Sequence, residues 1–321
     1  MRAFVFPGQG SQFIGMGKEL AEAFPVAREV FQEVDDTLGQ MLSALMFAGG
    51  EAELRLTTNA QPALMAVSVA VLRVLRQGAG NLTFDKLAHF VAGHSLGEYS
   101  ALCATGAFTL ADTARLLRQR GAAMQSAVPV GVGGMAALLG VEVAQAEEIA
   151  AAACKTPEGK QEVCAAANDN APGQVVISGH MGAIDRAIVI AAERGFKRSV
   201  KLPVSAPFHC SLMQPAADVM QAALEKVTII PPAVPVIANV TAQAVQEPAQ
   251  IRALLVQQVT GAVRWRESML YLKAQGVGHI VECGAGAVLG GLMKRIDREV
   301  TAVALHTPQE IEAFAKTISA A

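Results

Sequence analysis

The fold is decided by the stretch HFVAGHSLGEYSALCA, residues 89–104. Its centre, Gly93-His94-Ser95-Leu96-Gly97, fits the Gly-x-Ser-x-Gly pattern of a nucleophile elbow. An apolar run before the elbow predicts a buried strand, and the residues after it predict a helix. A turn this tight needs glycine on both sides, and it would expose the Ser95 hydroxyl beside the first amides of the helix. We therefore take Ser95 as the candidate nucleophile, the alternative being a structural turn with an idle serine.

The composition is typical of a compact soluble enzyme. The chain has 321 residues, 52% of them hydrophobic and 17% charged, so much of it must be buried. The chain has no run of 18 apolar residues, so a membrane span is not expected, and the apolar N-terminal stretch is too short for a signal peptide. The net charge of −2, without a basic run, argues against a nucleic-acid partner. Five cysteines without a pairing pattern predict reduced thiols and a cytoplasmic location, with Cys210 a bystander.

The order of predicted elements indicates an α/β fold in which helices cover both faces of a mostly parallel sheet. Residues 129–202 instead follow the strand and helix order β-α-β-β-α-β of a ferredoxin-like unit, with a turn at 168–173. We expect a large domain of residues 1–128 and 203–321 and a small inserted domain of residues 129–202. In the large domain, Pro62 is expected to open a long helix and another is expected from Leu110 to about Ser126.

An activated serine needs a base, and the chain has six histidines. His209 lies on a proline-anchored loop just after the inserted unit, where the two predicted domains meet, so it is the favoured candidate. The alternatives are His89, His94, His180, His279 and His306. No acid follows at the spacing of an α/β-hydrolase triad, so the third member is either absent or a backbone carbonyl.

Two backbone N–H groups are candidates for an oxyanion hole. Leu96 directly follows the nucleophile, and Gln9 lies in the glycine-rich turn after the first predicted strand. The same turn lacks the third glycine of a dinucleotide-binding loop, because Phe13 stands there, so a nicotinamide cofactor is not expected.

Arg120 is the candidate group for a charged substrate. On the predicted helix it lies between Leu116 and Met124, on an arc that is otherwise apolar. An arginine in that position normally has an acidic partner or a ligand, and a guanidinium fits a carboxylate with two parallel hydrogen bonds. The substrate is therefore expected to carry a free carboxylate, the alternative being a solvated arginine.

Five segments carry a family resemblance. They are FPGQGSQ (6–12), GHSLGEY (93–99), Arg120-Gly121, residues 168–179 and residues 205–209. Together and in this order they resemble the malonyl-CoA:acyl carrier protein transacylases of dissociated fatty-acid synthesis. The resemblance covers essentially the whole chain and implies an α/β-hydrolase-like core with a ferredoxin-like insert.

The resemblance implies a ping-pong acyl transfer without a cofactor or metal. His209 would deprotonate Ser95, and the N–H groups of Leu96 and Gln9 would hold the oxyanion. Malonyl would remain as an ester on Ser95, with its carboxylate on Arg120, until the phosphopantetheine thiol of acyl carrier protein takes it.

The same resemblance implies roles for two further residues and names the expected partners. The family orients its base with main-chain carbonyls, and the matching position lies near Gln258, whereas Asn170 matches a residue near the bound thioester. The expected partners are malonyl-CoA and holo acyl carrier protein, without nucleic acid or membrane, and the chain is expected to be a monomer. Because acyl carrier proteins are acidic, a basic patch is expected, with the candidates Lys197, Arg198, Lys201, Arg264 and Arg266.

The chain departs from the family near the Gln258 loop. Ala285 stands where the family commonly has proline between two glycines, and Ala262 stands where it often has proline before Val263. Three alternatives stay open: an acyltransferase of a polyketide or malonate pathway, a serine thioesterase, and a non-catalytic module that docks a carrier protein.

Overall fold

The computed structural model describes residues 1–204 and 206–319, so Ser205 of the predicted 205–209 motif lies outside the described residues. The strands are β1 Arg2–Phe6, β2 Phe90–Gly93, β3 Gly133–Leu139, β4 Cys164–Ala171, β5 Gln174–His180, β6 Arg198–Lys201, β7 Val236–Ala238, β8 Gln243–Val245, β9 His279–Cys283 and β10 Thr301–Leu305. The helices are α1 Lys18–Ala23, α2 Pro25–Leu38, α3 Leu42–Ala48, α4 Glu51–Arg55, α5 Thr57–Gly78, α6 Phe84–Leu87, α7 Leu96–Ala104, α8 Leu110–Ser126, α9 Val143–Ala153, α10 Met181–Glu193, α11 Gln214–Leu224, α12 Pro248–Thr260, α13 Trp265–Ala274, α14 Val288–Ile296 and α15 Pro308–Ser319.

A six-stranded sheet forms the centre of the larger part of the molecule. Its order is β10-β9-β1-β2-β7-β8, and neighbouring strands are parallel except for β8, which runs antiparallel to β7. Along β1, Phe4 and Phe6 face one apolar core, whereas Ala3 and Val5 face another, as the two-residue period of a strand requires. The predicted α/β class with a mostly parallel sheet is therefore confirmed.

A second sheet is built from the strands between residues 133 and 201. It is antiparallel, with the order β4-β5-β3-β6, and it packs with α9 and α10 around a core of its own. This is the order expected for a ferredoxin-like β-α-β-β-α-β unit. The domain boundaries at residues 129 and 202 stay a prediction.

The second sheet is joined to the rest of the molecule through the end of β4. Asn168 forms an isolated parallel bridge with Val263, and the Asp169 N–H donates to the Val263 carbonyl at 3.0 Å. The Asp169 carboxylate is 96% buried and accepts a hydrogen bond from Arg266 Nε at 2.9 Å. These contacts hold the end of β4 against the larger part of the molecule.

Two local predictions were wrong. Helix α5 begins at Thr57, so Pro62 lies inside it, where close packing of the helix on both sides of the proline outweighs one lost hydrogen bond. The turn predicted at 168–173 is shorter, because two register shifts let β4 continue pairing with β5 as far as Ala171. Helix α8 has the bounds that the sequence predicted, Leu110–Ser126.

Helix α5 is buried along most of its length in the core on one face of the large sheet. Among the described residues it is the one helix that is long and apolar enough to cross a membrane, but 89% of its most apolar window is buried inside the protein. That burial is typical of the central helix of a water-soluble fold.

Candidate active site

Ser95 lies between β2 and α7 in a strained backbone conformation, with φ 54° and ψ −110°. A Cβ atom on Gly93 would lie 1.9 Å from the Gly97 carbonyl carbon, and one on Gly97 would lie 2.3 Å from the Phe6 oxygen. The amide of Asn239 also holds the turn: its Oδ1 accepts from the Ser95 N–H at 2.8 Å, and its Nδ2 donates to the Gly93 carbonyl at 2.7 Å. The strained turn is thus fixed by close packing and by two side-chain hydrogen bonds.

The structure brings His209 to Ser95. The serine Oγ lies 2.8 Å from His209 Nε2, and His209 Nδ1 lies 2.9 Å from the Gln258 carbonyl and 3.1 Å from that of Gly261. Carbonyl oxygens only accept, so Nδ1 carries the proton and Nε2 is free to accept the serine proton. In the described part of the chain, main-chain carbonyls occupy the place that a triad carboxylate takes in other serine enzymes.

None of the other five histidines bonds to Ser95 within residues 1–204 and 206–319. Their partners are Asn170 for His94, Arg2 for His89, Val163 for His180, Thr301 for His279 and Glu310 for His306. Of the six histidines, His209 is therefore the one whose position fits the base.

Burial, with the nearby Arg120 guanidinium, lowers the pKa of His209 to about 3. The imidazole is consequently neutral at pH 7, which is the protonation state that a general base needs. A carboxylate bound beside Arg120 would offset the positive charge and move the pKa of His209 back towards its usual value.

Arg120 is 99% buried and directed at the nucleophile. Its Nη1 donates to Gln61 Oε1 at 2.9 Å, and its Nη2 donates to Gln258 Oε1 at 2.8 Å and to Ser95 Oγ at 3.1 Å. The guanidinium carbon also lies 5.6 Å from the centre of the Tyr99 ring. The predicted position on an apolar arc is correct, and the guanidinium is held by neutral amide oxygens.

Gln258 and Glu98 form the layer behind Arg120. The Nε2 atom of Gln258 donates to the Ser95 carbonyl at 3.0 Å and to Glu98 Oε2 at 2.8 Å, and the same carboxylate oxygen accepts from the Asn239 N–H at 3.1 Å. Burial raises the pKa of Glu98 to about 7. The resemblance placed Gln258 near the carbonyls that orient the base, and its own carbonyl lies beside His209. Its side chain lies behind Arg120 and does not line the cavity.

A cavity of about 320 Å³ opens above Ser95, between the two sheets. Its floor is formed by Ser95, Arg120 and His209, and Met135 contributes a wall from the small sheet. Gln9, Gly10, Gln12, Arg55, Gln61, His94, Leu96, Met124, Asn168, Leu202, Pro203, Val204 and Phe208 complete the lining. The lining combines apolar side chains with convergent polar and charged groups, and a cleft between two parts of a fold is a usual place for a small-molecule site.

The two predicted oxyanion donors lie on this cavity. Leu96 is the first residue of α7, so its N–H has no partner within the helix, and the residue lines the cavity beside Ser95. Gln9 lines the same cavity, and its side chain is held by a 3.3 Å hydrogen bond from Nε2 to Thr57 Oγ1. The structure therefore brings both predicted residues to the nucleophile.

The structure places the side chain of Asn170 beside His94. Its Oδ1 lies 2.8 Å from His94 Nε2, so the side chain is used to join the two sheets and does not line the cavity. Asn168, two residues earlier on the same side of β4, does line the cavity, and its buried Oδ1 has no hydrogen-bond partner in the described structure. Register shifts in β4 lie between Ala166 and Asn168 and between Asp169 and Ala171, and sequence spacing does not reveal them.

Several residues that contribute to the site were not identified from the sequence. Glu98 lies three residues after Ser95, where an acidic residue is equally typical of ordinary helix capping. Asn239 and Gln61 have no local pattern that marks them, because their contacts to the site come from distant elements.

Metal-ligating side chains and the Cys210 thiol were also considered as reactive groups. No cluster of three or more metal-ligating side chains exists among the described residues. Cys210 is buried, its thiol donates to the Pro207 carbonyl at 3.2 Å, and burial raises the pKa of the thiol, so it is held in the unreactive protonated form.

The fold and the site together define a serine acyltransferase whose pocket contains a buried cation. The chain matches the acyl transferase domain model over residues 3–307 and belongs to that family. It is 45% identical to the malonyl CoA-acyl carrier protein transacylase of Bacillus subtilis (strain 168), covering 98% of this chain and 96% of the relative. It is 46% identical to the transacylase of the same name from Escherichia coli (strain K12), covering 97% of each chain.

Solved structures give the same assignment. The acyl-carrier-protein-S-malonyltransferase of Bartonella henselae is 54% identical, with a TM-score of 0.94 and 99% of each chain covered. A malonyl-transacylase solved in complex with its type II PKS acyl-carrier protein is 40% identical, with a TM-score of 0.93, 98% of this chain covered and 99% of the other. The chain is thus a member of the malonyl CoA-acyl carrier protein transacylases.

Proposed function

We propose that this protein transfers the malonyl group from malonyl-CoA to the phosphopantetheine thiol of acyl carrier protein through an ester on Ser95. The observation that carries the proposal is the position of Arg120 Nη2, 3.1 Å from the Ser95 hydroxyl. In malonyl the carboxylate carbon lies two bonds from the carbonyl carbon that a serine would attack. A cation within hydrogen-bonding distance of the nucleophile is therefore placed for this short diacid.

The reaction follows from the contacts of the dyad. His209 Nε2 takes the proton from Ser95 Oγ, which adds to the thioester carbonyl carbon. The oxyanion accepts hydrogen bonds from the N–H groups of Leu96 and Gln9. The carbon–sulfur bond then breaks as His209 gives its proton to the departing sulfur, so that coenzyme A leaves as the thiol and the imidazole is neutral again. The thiol of the carrier protein reverses these steps and regenerates free Ser95.

Arg120 also favours transfer over simple release. A thioesterase needs no group that selects a carboxylate, whereas here a buried guanidinium lies against the nucleophile and is held from behind by Gln258. A polyketide pathway is the second candidate, since one structural relative serves a type II PKS carrier. The cytoplasmic location and the monomeric state are part of the proposal and await their own measurements.

The predicted basic patch needs revision. Lys201 pairs with Asp185 at 2.5 Å, Arg264 pairs with Glu267, and Arg266 holds the buried Asp169 between the two sheets. Reversing the charge of Arg266 would therefore disturb the fold as well as any docking surface. Lys197 and Arg198 are exposed and are the better positions for testing a carrier contact.

Intact-mass spectrometry tests the proposed function. After brief incubation with malonyl-CoA, the wild type should gain one malonyl mass, and holo acyl carrier protein should remove it. Ser95→Ala should show no gain, whereas Ser100→Ala, which removes another buried hydroxyl from α7, should keep it. Discharge by water as fast as by the carrier would indicate a thioesterase, and no adduct on the wild type would refute the proposal.

A further inference from the structure

A cation and a carboxyl group, Arg120 and Glu98, are buried behind the nucleophile without touching each other. Arg120 is 1% exposed and Glu98 is 2% exposed. Within residues 1–204 and 206–319, neither forms a direct ion pair: the hydrogen bonds of each go to neutral groups. Burying a charge is costly unless it is compensated, so this arrangement calls for a functional explanation.

The amide of Gln258 lies between the two charges. Its Oε1 accepts from Arg120 Nη2 at 2.8 Å, and its Nε2 donates to Glu98 Oε2 at 2.8 Å. The partial charges of the amide therefore oppose the charge at each end, so that one side chain connects the carboxylate to the guanidinium.

The orientation of this amide depends on the groups around Nε2. Three oxygens lie near that atom: the carboxylate of Glu98 at 2.8 Å, the carbonyl of Ser95 at 3.0 Å and Oδ1 of Asn239 at 3.4 Å. Glu98 is the nearest of these acceptors and the one that can carry a negative charge. A reversed amide would place Oε1 against these oxygens and direct an N–H₂ group at Arg120, so Glu98 has the largest part in preventing that reversal.

We propose that Glu98 is a positioning residue that sets acyl selectivity. It fixes the Gln258 amide so that the guanidinium of Arg120 is held beside Ser95 and can receive an acyl group with a terminal carboxylate. The inference rests on the proposed function and names a residue that acts on substrate only through Gln258 and Arg120.

Selectivity, rather than overall rate, is the property that this role predicts. In Glu98→Gln the new amide can donate as well as accept, so the Gln258 amide is free to reverse and Arg120 loses its acceptor. Malonyl transfer depends on the guanidinium, whereas acetyl transfer does not. We expect kcat/KM for malonyl-CoA to fall about tenfold or more, a usual size for coupled neighbours, and that for acetyl-CoA to change by less than about threefold.

The experiment measures acylation of Ser95 from malonyl-CoA and from acetyl-CoA by quenched-flow intact-mass spectrometry. Glu282→Gln is the matched control, because Glu282 is also fully buried and accepts hydrogen bonds from the N–H groups of Leu289 and Gly290 instead. Its malonyl-to-acetyl ratio should equal that of the wild type. An equal loss for both substrates in Glu98→Gln would reduce Glu98 to a structural residue and overturn the proposal.

Two further variants keep the test decisive. Gln258→Met retains the backbone carbonyl that accepts from His209 but removes the amide, and it should shift the ratio in the same direction even where Glu98→Gln fails to fold. In an Arg120→Ala background, Glu98→Gln should leave the ratio unchanged, and an undiminished effect there would contradict the route through Arg120. A wild type that takes up no malonyl would refute the proposed function itself, whereas a normal wild type with an unaltered ratio in the variants would refute only this inference.

Discussion

Replacing Arg120 by alanine is the most direct test of how this site selects its substrate. In the free enzyme the guanidinium donates to Gln61, to Gln258 and to the Ser95 hydroxyl, and no acidic side chain bonds to it in the described structure. A malonyl carboxylate would supply the missing negative charge. The substitution removes that interaction and leaves the main-chain contacts of His209 in place.

The size of the effect follows from the contacts that are lost. A planar guanidinium binds a carboxylate through two hydrogen bonds, each worth about 1.5–3 kcal/mol when a charge is involved. Losing both costs about 3–6 kcal/mol, which corresponds to about two to four orders of magnitude in kcat/KM for malonyl-CoA.

Acetyl-CoA should respond differently. It has no carboxylate to lose, and Arg120 is one of the causes that lower the pKa of His209. Removing the guanidinium raises the pKa of this base towards neutrality, where it takes a proton more readily. Acetyl transfer should therefore fall much less than malonyl transfer, or increase.

The assay compares steady-state transfer of malonyl and acetyl to holo acyl carrier protein, with thermal unfolding to confirm that the variant is folded. Arg115→Ala is the matched control, because Arg115 lies on the same helix, is largely exposed and pairs with Asp112 at 3.1 Å. It should transfer both groups at the wild-type rate. If Arg120→Ala transferred malonyl normally, or lost both activities equally, the carboxylate role of Arg120 would be wrong.

Three other predictions concern separate features. The pKa of His209 is lowered from 6.5 to about 3, so below pH 6.5 the unfolded chain binds a proton that the native protein does not, and stability should fall as pH decreases towards 3. His209→Gln should reduce that slope by up to about 1.4 kcal/mol per pH unit in urea titrations, and an unchanged slope would contradict the shift. Gly97→Ala should destabilise the fold by about 3 kcal/mol or more, because the new Cβ would lie 2.3 Å from the Phe6 oxygen. Gly291→Ala is the control, since Gly291 has open space around it and its replacement should not destabilise the fold. Equal unfolding midpoints for the two variants would refute the steric argument. Asn168→Ala should raise KM for malonyl-CoA, because Asn168 lines the cavity. Its free energy of unfolding should fall by no more than about 0.5 kcal/mol, because the Asn168 side-chain oxygen has no hydrogen bond to lose in the described structure. A loss of stability at constant KM would assign Asn168 a structural role.

The sequence could predict the parts of the fold that depend on local patterns. The elbow needed only two glycines and a serine between an apolar strand and a helix, and α8 was correct at both ends. Local patterns failed where packing outweighs propensity, as at Pro62 inside α5, and where register shifts let β4 extend into the predicted turn. Such outcomes depend on partners that are distant in the chain.

The same division applies to the site. Ser95 and Arg120 could be found because each breaks a local pattern, one as a serine in a glycine turn and the other as a cation on an apolar arc. Asn239 lies 144 residues from Ser95, whose N–H it binds, and Gln61 lies 59 residues from Arg120. Neither contact can therefore be predicted from local sequence spacing. Residues of this kind become visible only once the fold brings them together.

The arrangement of charges gives a physical basis for selecting a carboxylate. In the free enzyme Arg120 is buried among neutral acceptors, and the nearest acid, Glu98, reaches it only through an amide. An acyl group with a carboxylate supplies the missing counter-charge at the reacting centre, whereas an acyl group without one leaves the buried cation uncompensated. Since specificity is a difference between two binding free energies, the ion pair with Arg120 favours the charged acyl group, whereas a neutral acyl group gains no such interaction.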